Sequence, residues 1–399
     1  MRIKPIPSFP FSLMPILFLT AIFYLNFVSR VILGPLLPVL EADLGLRHGE
    51  AGSLFLPIAF GYSAGLLGSG HVSARLNHRG AITLSSIAVG AAMLVASWST
   101  SVAGLRAGLV LLGISAGLYL PSGVATLTEQ ISQPHWGKAL AIHEFAPNLA
   151  YITSPLMAEG LLRVVSWRGV LAAVGAAEVL LGFLFLWLGR GGGHRGEPMS
   201  LETAKRLLHD PSLWIMAAMF VVGIGSSMGV YLMMPLFLVT EIGMDREVAN
   251  SLIGFSRMAG LTVIFFSGLV TDRIGHRPAL ALFLGATGAL TVLLGLAHGT
   301  VVTPVLVFLQ SVCAAGFFPA AFSLVSLLFA PRLRNLAVSM VVVAGTLAGA
   351  GAIPTGIGYF AEAFSFSAAI ILTGLFTLAA VPLLLRVEPS GEDGNRNNS

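Results

Sequence analysis

The chain has 399 residues, 56% of them hydrophobic and only 10% charged, and 22 Lys and Arg against 18 Asp and Glu leave a net charge of +4. A soluble globular domain carries about 25% charge and 45–50% apolar residues, so an ordinary soluble domain is excluded, and disorder, collagen and a nucleic-acid-binding domain go with it. What remains is an all-α integral membrane protein, whose single cysteine, Cys313, allows neither an intrachain disulfide nor a cysteine-based metal cluster.

Crossing a hydrocarbon core of roughly 30 Å takes about 20 predominantly apolar residues. Twelve such stretches are expected, at 11–39, 50–70, 80–98, 103–128, 138–162, 168–188, 212–239, 247–271, 279–298, 302–329, 335–361 and 365–386. The first follows Arg2 and Lys4, contains Pro35 and Pro38, and is too long for the core of a cleavable signal peptide. It carries Tyr24, Asn26 and Arg30 well inside. The fourth span holds Tyr119 and Pro121, the fifth His143, Glu144, Pro147 and Asn148, and the sixth Glu178. A polar linker, 189–211, begins glycine-rich and ends amphipathic. Beyond it the seventh span holds Tyr231, the eighth Arg257 and the tenth Phe317 and Pro319.

Cytoplasmic loops are enriched in Lys and Arg. With the N-terminus inside, fifteen of the 22 basic residues face the cytoplasm, and Arg47, Arg106, Arg163, Arg168 and Arg246 lie outside. Arg30 and Arg257 fall in neither class. Both termini are therefore expected in the cytoplasm, of a bacterial or archaeal inner membrane.

The linker separates six spans from six. A shift of 198 residues brings Gly70, Arg75, His78 and Arg79 onto Gly268, Arg273, His276 and Arg277, and Asp43, Gly45 and Ser53 onto Glu241, Gly243 and Ser251. Pro155 and Pro354 match at 199. The chain reads as a duplicated six-helix unit: an N-terminal bundle 1–188, the cytoplasmic linker 189–211, a C-terminal bundle 212–386 and a cytoplasmic tail 387–399.

The link after span eight runs Gly268, Asp272, Arg273, Gly275, Arg277 in the pattern G-x-x-x-D-R-x-G-x-R. On these residues the chain resembles the major facilitator superfamily. The equivalent link after span two keeps Gly70, Arg75 and Arg79 but has Ala74 for the acid and Asn77 for the second glycine. The resemblance implies two pseudo-symmetric six-helix bundles with a substrate site between them near the midplane. Carboxylate and guanidinium groups at the ends of such helices latch neighbours in one conformer, and the first latch is expected to be the weaker. Tyr24 to Arg30 with Pro35 and Pro38 resembles the anion:cation symporter branch, though Ser29 stands where that branch has Asp. Ser256-Arg257 instead resembles the monocarboxylate and oxalate carriers, so the branch stays open.

An arginine at the centre of a span costs about 2.5–3.5 kcal/mol, so each must face a cavity or an acid. A guanidinium stays charged and offers a planar donor fork to a carboxylate or phosphate, which points to a small anionic substrate held by Arg30 and Arg257. The competing reading pairs each arginine with Glu144 or Glu178. Tyr24, Asn26, Tyr119, Asn148, Tyr231 and Phe317 are the candidate walls. A buried carboxylate whose neutral form is favoured can carry a coupling proton, which selects Glu144, with His143, and then Glu178. Neither a phosphate loop nor H-E-x-x-H occurs. The sequence therefore reads as a secondary transporter rather than an enzyme, with no cofactor and no metal, whose partners are an anion, protons and the bilayer, and which is expected to act as a monomer. The runner-up is a proton-coupled efflux antiporter in which Arg30 is an internal ion-pair partner.

Overall fold

The computed structural model describes residues 13–197, 201–297, 299 and 301–387, and these form helices with no strand among them. The expected tail lies outside the described residues except for Val387, as do Arg2, Lys4 and Arg396 of the charge count. Nine described helices are long and apolar enough to cross a membrane, and a tenth span is the bent pair Arg246–Val263 and Phe266–Ile274. Two more complete the expected twelve. Phe55–Ser97 holds spans two and three, because Asn77 inside it has φ 63° and ψ 173° and breaks the helix. Span five, Trp136–Leu162, is long enough, but His143, Glu144, Asn148 and Glu159 dilute its hydropathy.

The two links read as loops are thus single-residue breaks. Asn77 and its repeat mate Gly275 share one conformation, since Gly275 has φ 90° and ψ 159°. Glycine adopts this region freely and other residues are strained there. Asn77 is the one described non-glycine residue with positive φ, and its Oδ1 accepts from the Gly80 N–H at 2.8 Å, capping span three. Span one, Leu13–Leu44, breaks at Ile32, two residues after Arg30. Pro35 accounts for this, because its ring crowds the carbonyl four residues back, at Val31. Pro147 and Pro155, by contrast, sit inside a continuous span five and do not interrupt the helix.

The duplication is visible in the capping and the crossings. Asp43, at the end of span one, accepts from Trp167 Nε1 at 2.9 Å and Arg168 Nη1 at 2.6 Å at the start of span six, Trp167–Leu188. Its mate Glu241, ending span seven, accepts the Ser367 N–H at 3.0 Å at the start of span twelve. Spans three and six cross so closely at Gly90 and Gly175 that a Cβ on either would strike the other's carbonyl, and Gly288 and Gly374 repeat the crossing in spans nine and twelve. Small residues permit such backbone approach where lipid gives helices no hydrophobic drive to associate.

The linker is docked along its first part. The Gly192 N–H donates to Glu129 Oε2 at 2.6 Å, His194 Nδ1 lies 3.1 Å from the same oxygen, and the Arg79 N–H donates to Gly192 O at 2.8 Å.

The two halves are clamped together at the end remote from the termini. There Arg246 grips Glu159 through Nε at 2.9 Å and Nη2 at 3.1 Å, Arg163 pairs with Glu247 at 3.2 Å, and Arg47 pairs with Glu362 at 3.0 Å. Among the described residues, the ion pairs that join the halves all lie at this far end.

Candidate functional site

Arg30 is the penultimate residue of the first segment of span one and is only 6% exposed. Its guanidinium stacks 4.4 Å from the Phe27 ring and 4.3 Å from the Tyr62 ring. The surrounding pocket is lined from the first half by Phe55, Ile58, Ala59 and Tyr62, and from the second by Met228, Leu232, Thr346 and Ala350. Arg257 sits in span eight between Tyr151 and Tyr231, each 4.8 Å from its guanidinium, and its Nη2 donates to Ser227 O at 2.6 Å. Its pocket also draws on both halves, with Asn148 and Tyr151 facing Ser227, Gly260, Ala315 and Phe318.

The two pockets lie on either side of Gly225–Gly229, a π-helical turn of span seven that contributes Ser227 to one and Met228 to the other. They are joined by rings. Phe27 packs edge-on against Tyr151 at 5.0 Å, and Tyr151 against Tyr231 at 4.8 Å. A ribbon of Tyr62, Arg30, Phe27, Tyr151, Arg257 and Tyr231 therefore crosses the interface between the halves, and cation–π contact holds both charges against it.

Neither guanidinium has a carboxylate within ion-pair distance among the described residues, and Nε of each is buried without a hydrogen-bond partner. The pairing of Arg30 with Glu144 or Glu178 is not formed. Glu178 is fully buried between spans six and three, where its Oε1 accepts from Ser86 Oγ at 3.3 Å. It lines neither pocket. Glu144 has a side chain 56% exposed and lies 3.5 Å from His143 Nδ1. Asn148 and Tyr151, four and seven residues on, share its helical face and both line the Arg257 pocket, whereas Glu144 lines neither pocket and is exposed rather than buried as expected.

Of the expected walls, Asn148 lines a pocket and Tyr231 stacks on Arg257. Four others do not face the pockets. Tyr24 bonds Thr153 Oγ1 at 2.7 Å, tying span one to span five, and Asn26 donates to Ala116 O at 3.3 Å inside the first half. Tyr119 is fully buried, donating to Leu19 O at 2.7 Å and lying 3.0 Å from His143 Nε2. Phe317 packs on Phe220 at 5.5 Å in the core of the second half, while its neighbour Phe318 lines the pocket. The physical reason is rotation about the helix axis. Mid-span depth selects a layer of the bundle but not a face, and one residue turns a side chain by about 100°.

Tyr62, Phe27, Ser227 and Met228 were missed. Phe27 lies three residues before Arg30 on the same face, a usable signal. Ser227 and Met228 belong to Gly225-Ser-Ser-Met-Gly229, whose paired glycines mark a helix distortion, whereas nothing local to Tyr62 betrays its partner in span one.

The signature loops sit at the end carrying the termini. Gly70 and Gly268 are in helix, Arg75, Asp272 and Arg273 are exposed, and Arg79 Nη2 donates to Leu186 O at 2.8 Å, while Arg277 is half-exposed. Among the described residues, the expected carboxylate–guanidinium latch at Asp272 is not closed. The ion pairs between the halves lie instead at the far end.

The sequence matches the family model of the Major Facilitator Superfamily over residues 17–307 and 254–399. The "Probable L-galactonate transporter" of Escherichia coli (strain K12) is 22% identical over 300 residues, 68% of this chain and 63% of that protein, so the aligned part spans less than two thirds of its length. A bacterial homolog of the human lysosomal transporter Spinster, in an inward-facing and occupied conformation, superposes with a TM-score of 0.79 at 17% identity, covering 96% of this chain and 97% of the other. A D-xylose-proton symporter gives a TM-score of 0.78 at 17% identity over 96% and 98% of the two chains. With two six-helix bundles meeting around a shared site and a family match running almost end to end, the chain belongs to the major facilitator superfamily and is a multi-pass membrane transporter, not an enzyme.

Proposed function

We propose that the protein moves a small organic anion, a carboxylate, in symport with protons, by rocking of residues 1–188 against 212–386 about the two-arginine site. The observation that carries this is a pair of buried or half-buried guanidiniums, one from each half, with no carboxylate within ion-pair distance among the described residues. Burying an uncompensated charge is costly, and a substrate carboxylate is the partner both forks fit. Arg257 is the primary contact, because Asn148, Tyr151 and Ser227 around it offer polar atoms to the rest of a hydroxylated acid. Galactonate, named for the Escherichia coli relative, is an acid of that kind.

Glu144, one helical turn before the pocket residue Asn148, carries the proton, and the xylose-proton neighbour couples the same fold to the same ion. With both termini in the cytoplasm of a bacterial or archaeal inner membrane, the far-end clamp makes this the inward-facing state. Among the described residues no ion pair neutralises Arg30, which weighs against the efflux reading.

The test is thermal stabilisation of purified protein by a panel of mono- and dicarboxylates, sugar acids, phosphate esters, neutral sugars and lipophilic cations. A ligand at a hundred times its Kd adds about 2.7 kcal/mol to the folded state. Stabilisation by carboxylates that disappears in Arg257→Gln supports the reading. Stabilisation by lipophilic cations alone, retained in Arg257→Gln, replaces it with efflux.

A further inference from the structure

Tyr119, His143 and Glu144 form a cluster whose hydrogen-bond directions are fixed by elimination. The Tyr119 phenol has one hydrogen, and it donates to Leu19 O at 2.7 Å, an atom that can only accept. Toward His143 Nε2, 3.0 Å away, the phenol oxygen must therefore accept, so that nitrogen carries a hydrogen. The neutral ring then has its bare lone pair on Nδ1. That atom is buried without a hydrogen-bond partner, 3.5 Å from Glu144 Oε1. A neutral imidazole and an ionised carboxylate thus present two acceptors to each other, and one proton on either turns the contact into a donor and an acceptor.

We infer that Tyr119 is a positioning residue that locks His143 with its Nδ1 lone pair toward Glu144, so that the two side chains bind a single proton between them at the edge of the substrate cavity. This rests on the reading of Glu144 as the coupling acid. The ring cannot escape the arrangement by rotating, because it is fully buried and stacked on Phe23 at 4.5 Å. From span one the cluster meets Phe23 and the Leu19 carbonyl, and from span four Tyr119. From span six Glu178 reaches Tyr119 electrostatically, and from span five itself Glu144 faces the ring. Glu144 is the exposed member of this set. Proton loss leaves facing lone pairs, and the long, half-exposed Glu144 side chain is free to move away. Tyr151, which stacks on Arg257, is seven residues along the same helix, about 10 Å of axial rise, so the proton and the anion share one helical face.

The experiment needs no substrate. In protein labelled with 15N-histidine and reconstituted in phosphatidylglycerol and phosphatidylethanolamine bilayers, the His143 resonances are assigned by their loss in His143→Gln. The neutral ring should show the Nε2–H tautomer, and Tyr119→Phe should release it toward Nδ1–H. An ionised Glu144 then gains a donor without taking up a proton, so the pair binds its proton less readily. The midpoint followed by the carboxylic C=O infrared band, assigned through Glu144→Gln, should fall by about one pH unit in Tyr119→Phe, the scale of one hydrogen bond. An Nδ1–H ring in the unaltered protein overturns the inference, and so does a midpoint unmoved by Tyr119→Phe. Should tautomer and midpoint behave as expected while a pH gradient fails to drive carboxylate uptake, the lock stands and the symport reading falls.

Discussion

Glu159→Gln should open the far end of the transporter. Glu159 is 6% exposed and takes a two-point grip from Arg246, and its Oε1 also accepts from Asn250 Nδ2 at 2.6 Å. Asn250 Nδ2 lies 3.2 Å from Pro35 O in the opposite half, so one carboxylate organises contacts on spans one, five and eight. Truncating one partner of a buried, hydrogen-bonded charge pair costs 2–5 kcal/mol or more. The Arg246 side chain is 35% exposed and water recovers part of the loss, so about 2 kcal/mol is appropriate, a shift of about 30-fold in the open-to-closed ratio.

The neighbouring pair serves as an internal control. Arg163 and Glu247 are 68% and 56% exposed, and such surface pairs contribute about 0–1 kcal/mol. Spin labels on Ser101→Cys and Val301→Cys, in a Cys313→Ser background, report the separation of the halves at that end by pulsed electron resonance. Glu159→Gln should populate a longer distance, and Glu247→Gln should leave the distribution nearly unchanged. Equal effects from the two, or none from Glu159→Gln, would refute the assignment of the clamp to buried charge.

Other consequences of the fold are open to measurement. Gly275→Ala places a Cβ at φ 90° and should cost about 1–3 kcal/mol, read as a lower thermal midpoint, whereas Gly268→Ala in regular helix should not lower it. Gly90→Val drives a side chain into Gly175 and Val179 and should destabilise by about 1–3 kcal/mol; Gly68→Val, with nothing within 4 Å of its Cβ, should not, and equal midpoints would contradict the crossing. Glu241→Gln weakens the charged cap on the Ser367 N–H and should lower the midpoint by an amount corresponding to about 1 kcal/mol. Glu129→Gln releases the Gly192 and His194 contacts, so trypsin should cut at Arg195 several-fold faster; an unchanged rate would mean that the linker is held elsewhere.

The spans were legible because hydropathy acts over some twenty residues and survives errors at individual positions. Helix ends and breaks were less so. Spans two and three run through what reads as a loop, since a helix can reverse at one residue when that residue accepts positive φ, and Asn77 does so while capping Gly80. That Arg30 and Arg257 need an unusual environment was legible because a charge in a span demands an explanation. Their aromatic partners were not, since Tyr62 meets Arg30 and Tyr151 meets Arg257 only after helices far apart in sequence pack together. Tyr119 shows the opposite failure: a polar aromatic in the right layer, turned away from the cavity to hold His143.

The duplication explains where the site had to arise. Structural positions obey the repeat: Asp43 and Glu241 cap equivalent helices, Gly90–Gly175 and Gly288–Gly374 make equivalent crossings, and Asn77 and Gly275 share a backbone conformation. The charges do not obey it. A shift of 198 residues places Arg30 on Met228 and Ala59 on Arg257, so the first half supplies its guanidinium from its first span and the second half from its second span. Ala59 lines the Arg30 pocket, and Ser227 beside Met228 lines the Arg257 pocket. Each half thus contributes one charge at the same crossing of helices, from opposite partners, with the small or uncharged mate leaving room beside it. A symmetric scaffold can rock between two equivalent packings, whereas a substrate that is not itself symmetric needs unlike contacts from the two sides. Placing the positive charge on non-equivalent spans meets both requirements, and under the proposed two-arginine site the departures from the repeat, rather than the residues that keep it, are the positions that would determine what the transporter carries.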